Sequence, residues 1–311
     1  MNLQQLEYII AVDTHRHFGR AARACHVTQP TLSMMIQKLE DELGVKIFDR
    51  SKQPVIPTET GSLLLDQARR VLREAGELTE IVQRQKGVVE GKLQIGIIPT
   101  LAPYLVPLFI RSFLRSYPGV RLKIAELTTE QIVADMQKGK LDVGILATPL
   151  DNKAIQEHPL FYEPFWDYSS HSYEKQFLLP SDIDPNELWL LEEGHCMRSQ
   201  ILNLCELRKQ SNPFLQYENG SIETFKRLVD QDRGITILPE LATRSLSEEQ
   251  RSNLLPFEPP VPVREISLVT HRNFIKKQLI EALREKILNS LPENLRRREE
   301  ETQRTIGIKR V

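Results

Sequence analysis

Along the first fifty residues apolar side chains recur three and four positions apart, the period of a helix that buries one face. Leu6, Ile9 and Ile10 open the first stripe, and a polar turn at Asp13–His17 interrupts it. Phe18, Ala21, Ala22 and Cys25 make a second, shorter one. Another polar turn at His26–Gln29 leads to Pro30, whose fixed φ and missing N–H suit the first position of a helix. From Thr31 onward Leu32, Met35, Ile36, Leu39 and Leu43 share a face, and Gly44 fits the left-handed residue that ends it. Two short helices, a tight turn and a longer third helix have helix-turn-helix spacing. Val45–Thr60 then carries Pro54, Pro57 and the β-type residues Val45, Ile47, Phe48, Val55 and Ile56, which predicts a two-stranded wing. Residues 1–60 therefore read as a winged helix-turn-helix domain.

A single long helical pattern follows over Gly61–Gln85, within a linker region 61–90. Leu64, Leu65, Ala68, Val71, Leu72, Ala75, Leu78 and Val82 form its stripe, and no proline interrupts it. About 25 residues of helix span nearly 38 Å. Nothing nearby in sequence covers this stripe, which predicts pairing with a second copy; packing on the chain's own C-terminal domain is the alternative.

Beyond Gly91 the texture alternates between strand and helix. Strands are expected at Leu93–Ile98, Val120–Glu126 and Leu141–Ala147, with helices at Leu101–Tyr117, despite Pro103 and Pro107, and Glu130–Lys138. Further strands fall near Leu188–Leu191, Leu215–Tyr217, Ile235–Leu238 and Ile266–Thr270, and a last helix covers Ile275–Leu291. This rhythm predicts an α/β domain over 91–292 on a parallel sheet, in two subdomains, roughly 91–163 plus 266–292, and 164–265. The charged tail 293–311, with Arg296–Arg298 against Glu299–Glu301, reads as solvated and weakly ordered.

The 311 residues are 40% hydrophobic and 27% charged, which excludes global disorder. Three cysteines are too few for a disulfide-dense secreted scaffold. No apolar run approaches the ~20 residues that span a bilayer, so no membrane partner is expected. Met1–Ala11 carries Glu7 and lacks the order of a signal peptide, so the expected compartment is the cytoplasm. A net charge of −1 leaves a local nucleic-acid patch open.

In a DNA-binding helix-turn-helix the second helix of the motif enters the major groove, its early residues facing base edges. Around Pro30 these are Thr28, Gln29, Thr31, Ser33, Met34 and Gln37, with Lys38 nearby. Their short polar groups donate and accept, as direct readout requires. Arg50 and Lys52 in the wing are candidates for phosphate contacts. The competing reading is a plain capped helix start at Gln29-Pro30-Thr31.

The run "AARACHVTQPTLSMMIQKLEDELGVKIFDR", followed by "TETG" at Thr58–Gly61, resembles the LysR-type transcriptional regulators. That resemblance implies a winged helix-turn-helix, a dimerising linker helix and a two-subdomain effector domain like the periplasmic binding proteins. It further implies promoter DNA as a double-stranded partner, a homodimer paired into a tetramer, contact with RNA polymerase, and a role other than enzyme. No cofactor is expected.

Three cysteines carry the remaining chemistry. Cys25 falls on the apolar side of its helix and reads as inert core. Cys196 and Cys205 flank a segment in which Met197, Ile201, Leu204 and Arg208 share one helix face. Cys196 then sits at a helix N-terminus, where the dipole favours the thiolate and lowers its pKa, whereas Cys205 is sheltered beside the apolar stripe. A poised thiol with a second one nearby is the layout of a peroxide sensor. Two ordinary buried cysteines are the alternative. A zinc site on His195, Cys196 and Cys205 is disfavoured, because adjacent His and Cys point apart and a fourth ligand is missing, so no metal is expected. The segment "LEEGHCMRSQILNLC" resembles the redox segment of the peroxide-sensing members of the LysR family. The resemblance implies that Cys196 is peroxidatic and Cys205 resolving. It also implies that Thr100 in "GIIPT", Thr129 in "AELTTEQ", His195 and Arg264 in "PVREISLV" line a peroxide pocket, with Arg264 stabilising the thiolate. Taken alone, the threonines read as helix N-caps and Arg264 as a surface residue at a sheet edge. Asp167–Pro185 departs most from the family pattern. The rivals are a LysR-type regulator sensing a small metabolite, with incidental cysteines, and a solute-binding or thiol-peroxidase protein on the same α/β domain.

Overall fold

Capped helices build the first of two units into which the chain divides, Met1–Val88; the second is Val89–Val311. A computed structural model describes residues 1–86, 89–170, 175–192, 194–206, 220–231, 234–272, 277–296 and 303–307. Helix α1 (Leu3–His15) starts at Asn2, which closes a capping box with Gln5. His17 Nδ1 accepts the N–H groups of Gly19 and Arg20 at the head of α2 (Phe18–Ala24). Thr28 caps α3 (Gln29–Leu43), which stops at Gly44 with φ 68°, a conformation that favours glycine. Strands β1 (Phe48–Asp49) and β2 (Ile56–Pro57) pair antiparallel as a wing, and α4 (Glu59–Lys86) runs on from it. Leu6, Ile9, Val12, Leu32, Ile36, Leu39, Ile47 and Leu65 form the core.

Three local expectations shift here. The polar turn at Asp13–His17 shrinks, because Asp13 is buried in α1 and forms ion pairs with Arg69 of α4 and with Arg16, leaving Arg16 alone left-handed at φ 50°. Pro30 lies one residue inside the helix rather than first, behind Gln29. The head of the long stripe is covered within the unit: Leu65 and Ala68 are buried in the same core as α1, while Leu63 and Leu78 stay exposed. The side chain of Val82 lies outside the described residues.

The second unit begins with β3 (Gly91–Ile97), α5 (Ala102–Ser116), β4 (Val120–Glu126), α6 (Thr129–Gln137) and β5 (Val143–Thr148). Then come β6 (Ile155–Ser169), α7 (Cys196–Leu204), α8 (Ile222–Gln231), β7 (Ile235–Pro239), α9 (Glu240–Thr243), α10 (Glu248–Arg251) and β8 (Leu254–Pro256). Strand β9 (Val261–His271), α11 (Lys277–Ser290), α12 (Glu293–Arg296) and β10 (Gln303–Thr305) complete it. The strand order is β4-β3-β5-β9-β6-β7, with β10 on β9 and β8 on β6. Strands β3, β4 and β5 meet the expectation of a parallel sheet, but β9 runs antiparallel to both β5 and β6, so the sheet is mixed. The long β6 escapes sequence reading because Pro159 and Pro164 interrupt it, and a bulge between Pro159 and Phe161 absorbs the irregularity. Two cores flank the β6–β9 pair. One gathers Ile95, Phe109, Ile145 and Leu268, the other Phe165, Met197, Ile201, Phe225 and Phe257.

The strand expected at Leu188–Leu191 reduces to one bridge, Leu188 to Ile235, and Leu215–Tyr217 lies outside the described residues. The expectation of a solvated tail fails for Glu293–Arg296 and 303–307, while the rest of the tail, including residues 297–301, lies outside the described residues. Leu295 of α12 is buried in the first core, β10 pairs in parallel with Val261–Val263, and Ile306 is buried in the second core. The reason lies in the sheet: β5 stops at Thr148, opposite Glu265, and leaves the preceding part of β9 open on that side.

Asp167 in β6 is fully buried, and neither carboxyl oxygen has a hydrogen-bond partner among the described residues. Burial pushes its pKa up to about 7. Because the folded value lies above the unfolded one, the group favours folding most below the unfolded value, about 4, and that contribution is lost as pH rises through about 7. Asp167→Asn should therefore gain on the order of 2–4 kcal/mol over the parent at about pH 8 relative to about pH 5. Urea unfolding at the two pH values checks this; an equal difference at both would contradict it.

Candidate functional site

Cys196 is nearly shut off from solvent. It is the first residue of α7 and only 7% exposed, packed into the first core. The chain enters the helix through Gly194, whose φ of 97° favours glycine, and His195 takes the capping position without a side-chain cap bond. All three cysteines are free thiols.

Arg264 supplies the charge. It is fully buried in β9, not a surface residue at a sheet edge. Its register neighbour on β6 is Glu163, also fully buried, whose Oε2 accepts from Nε at 2.9 Å and lies 2.8 Å from Nη2. Arg264 Nη1 donates to Thr100 Oγ1 at 3.0 Å and Nη2 to the Thr100 carbonyl at 3.3 Å. Glu163 Oε1 accepts the N–H of Leu241 at 2.8 Å. Sequence reading missed Glu163. It lies 101 residues from Arg264, and only strand register brings the two together.

Neither threonine is a cap. The residue before α5 is Leu101, which makes no side-chain cap bond, and Thr100 is engaged by Arg264 instead. At α6 the cap is Thr128, in a capping box with Gln131, and Thr129 is the first helical residue. Thr129 Oγ1 is buried without a conventional partner among the described residues and is within reach of the Cys196 thiol, whose ionised form it stabilises.

Electrostatics at Cys196 are a contest. Burial pushes the thiol up from its ordinary value; the Arg264 charge, the Thr129 hydroxyl and backbone hydrogen bonds at Met197 and Ala147 pull it down. Burial wins. The expectation of a lowered pKa is thus corrected: a helix N-terminus does not offset the loss of water around a thiolate. His195 is half-buried, and burial lowers its pKa against the opposing charge of Glu192, so its ring is neutral near pH 7. Cys205 follows the last residue of α7, packs against the second core, and has its pKa raised to about 12 by burial and then by Asp167. The structure therefore brings Thr129 and Arg264 to Cys196, holds Thr100 on Arg264, and sets Cys205 at the far end of α7. Nine helical steps separate the two cysteines by about 13–14 Å.

At the head of α3 and along it Thr28, Gln29, Pro30, Thr31, Met34, Gln37 and Lys38 are exposed, and Thr31, Met34 and Lys38 lie on the face opposite Leu32, Ile36 and Leu39. Thr28 spends its hydroxyl on the cap, 2.8 Å from Thr31 Oγ1. Ser33 and Arg50 are less free than expected. Arg50 Nη1 donates to Ser33 Oγ at 3.1 Å, Nη2 lies 3.3 Å from Glu40 Oε2, and the guanidinium stacks 4.9 Å over the Phe18 ring. Buried Glu40 also accepts the N–H groups of Ile47 at 2.8 Å and Phe48 at 3.3 Å, anchoring the wing. Lys52 is exposed.

Comparison with known proteins agrees with both halves. Residues 3–62 match the family described as bacterial regulatory helix-turn-helix protein, lysR family, and residues 86–292 match the LysR substrate binding domain. The chain is 40% identical over 272 residues to the hydrogen peroxide-inducible genes activator of Pectobacterium carotovorum, covering 86% of this chain and 90% of that one. It is 40% identical, over 86% of this chain and 89% of the relative, to the DNA-binding transcriptional dual regulator OxyR of Escherichia coli. A full-length OxyR variant from Pseudomonas aeruginosa superposes with a TM-score of 0.79 at 35% identity, covering 92% of this chain and 97% of that one. With a capped helix-turn-helix ahead of a two-lobed α/β domain, and matches that span both, the chain belongs to the LysR family of bacterial transcriptional regulators.

Proposed function

We propose that this chain is a hydrogen-peroxide-sensing, DNA-binding transcription regulator in which Cys196 is the peroxidatic cysteine and Cys205 the resolving one. The observation that carries this reading is a nearly buried thiol at the first residue of α7, beside Arg264 and Thr129, with a second free thiol at the other end of the helix. The names of the relatives support it.

The Cys196 sulfur attacks one peroxide oxygen. The O–O bond breaks, the sulfur becomes a sulfenic acid, and the other oxygen leaves as water with the thiol proton. Thr100, Thr129, neutral His195 and Arg264 hold the peroxide and the departing hydroxide. Cys205 sulfur then attacks Cys196 sulfur; the S–S bond forms, the S–O bond breaks, and a second water leaves with the Cys205 proton. Each oxidation consumes one peroxide without turnover, so the protein is a sensor and not an enzyme. A disulfide needs Cα atoms within about 7 Å, so α7 must unwind for the second step.

The exposed face of α3 enters the major groove, with Gln29 and Thr31 reading base edges while Lys52 and the free edge of Arg50 meet phosphate. Leu63 and Leu78 leave apolar surface on α4 for a second copy, giving a dimer that pairs into a tetramer in the cytoplasm and contacts RNA polymerase. Rearranging α7 shifts these subunits on promoter DNA.

Intact mass after peroxide addition, with gel shifts on the upstream region of the gene under reducing and oxidising conditions, tests the whole. Loss of two hydrogens and a changed footprint are expected; a mass that does not change, or no DNA binding, overturns it. Cys196→Ser should abolish both disulfide and response, whereas Cys205→Ser should still give a sulfenic acid that dimedone traps. If Cys205→Ser blocks all peroxide reactivity, the roles are reversed.

Removing Arg264 alone strands the buried Glu163 charge, so the informative variant is Arg264→Met with Glu163→Gln. Its Cys196 pKa, followed by bromobimane, should rise and its reaction with peroxide slow. An unchanged pKa would leave Thr129 and the helix backbone as the only sources of activation.

Gln29→Ala and Thr31→Ala should each weaken binding to the promoter site by about 1–3 kcal/mol, with little change on random DNA. Lys52→Ala should weaken both alike and flatten the salt dependence. Equal effects of all three on specificity would contradict this division.

A further inference from the structure

A segment near the C-terminus grips the redox helix between its two cysteines, along the stripe that Cys196 begins. Gln200, fully buried, donates from Nε2 to the Ile306 carbonyl at 3.0 Å, and Asn203 donates from Nδ2 to the Gly307 carbonyl at 2.9 Å. The Ile306 N–H donates to the Val263 carbonyl at 2.8 Å, and its side chain is buried in the core that also holds Met197, Ile201 and Leu204. Gln303–Thr305 pair with Val261–Val263, directly before Arg264. One short segment thus touches both the helix between the two cysteines and the strand that carries the charge beside Cys196.

We propose that this C-terminal strand positions α7 for the redox reaction: it holds the helix wound through Gln200 and Asn203, slows the attack of Cys205 on oxidised Cys196, and is released when the disulfide forms. The proposal rests on the cysteine roles given above. Both anchoring side chains lie between Cys196 and Cys205, inside the stretch that must unwind. A hydrogen bond of about 3 Å does not survive a displacement of an ångström or more. Buried Gln200 cannot leave without stranding polar atoms on both sides, so helix and strand let go together. Three strand residues and one buried isoleucine are a small anchorage, readily lost once two of its contacts go. Linkage makes the effect reciprocal: a strand bound more tightly to the reduced form opposes oxidation by the same factor by which oxidation weakens its docking.

The experiment uses the full chain, a form ending at Thr302, and Asn203→Ala, which removes a single exposed bond if the truncation folds poorly. Trypsin cleavage after Arg304, read by mass, should be at least tenfold faster in the oxidised than in the reduced full chain. Conversion of the sulfenic acid to the disulfide should be about fivefold faster in both variants than in the parent. Sulfenic acid formation, measured in a Cys205→Ser background, should not change. A general loss of structure would move both rates, so the split between them identifies positioning. Loss of two hydrogens with Arg304 still protected, or unchanged resolving rates in both variants, overturns the role of the strand and leaves the cysteine roles standing. Failure to lose two hydrogens overturns the cysteine roles, and the strand's role with them.

Discussion

A guanidinium removed from water must have its charge answered within the protein, and the pairing of Arg264 with Glu163 does this where β6 and β9 lie side by side. Arg264 binds the turn before α5 through Thr100, and Glu163 binds the head of α9 through the Leu241 N–H. A buried ion pair of this kind adds little net stability, because desolvation cancels most of the attraction. Breaking it on one side costs about 3–5 kcal/mol, so the pair dictates arrangement more than it lends stability. The alternative packings that separate these strands are the ones it excludes. Cys196 lies in the field it leaves over.

That field is deliberately incomplete as a thiolate site. Donors surround the Cys196 sulfur, yet burial outweighs them, so the resting thiol is held mainly protonated and nearly shut away from solvent. Cys205 is also raised by burial, but there the neighbouring charge is the Asp167 carboxyl, which pushes the same way, whereas Arg264 opposes burial at Cys196. The two thiols share a helix but not an environment.

In the first unit the corresponding constraint is Glu40. Its buried carboxylate accepts two N–H groups at the root of the wing and meets Arg50, which also stacks on Phe18. Wing and recognition helix are thereby coupled through one side chain, and the polar face of α3 is presented by a rigid support.

Much of this was legible in the residue order because it depends on local chemistry. Helical period, the Gly44 stop and the helical face shared by Met197, Ile201 and Leu204 are settled by neighbours a few positions away, and the last places Cys196 at a helix start without any fold. The strands β3 and β4 declare themselves by alternating apolar residues and β5 by an apolar run. What failed was everything fixed by partners distant in sequence. Prolines hid β6, whose strand character comes from β9 and β7 on either side. Glu163 carried no local signal, the threonines near Cys196 imitated caps, and Ile306 looked lost in a charged tail. The sign of the Cys196 shift also depended on burial, which no motif encodes. Residue order determined which elements form and which chemistry they carry; the tertiary structure alone decided which charges meet, because desolvation and strand register act between residues a hundred positions apart.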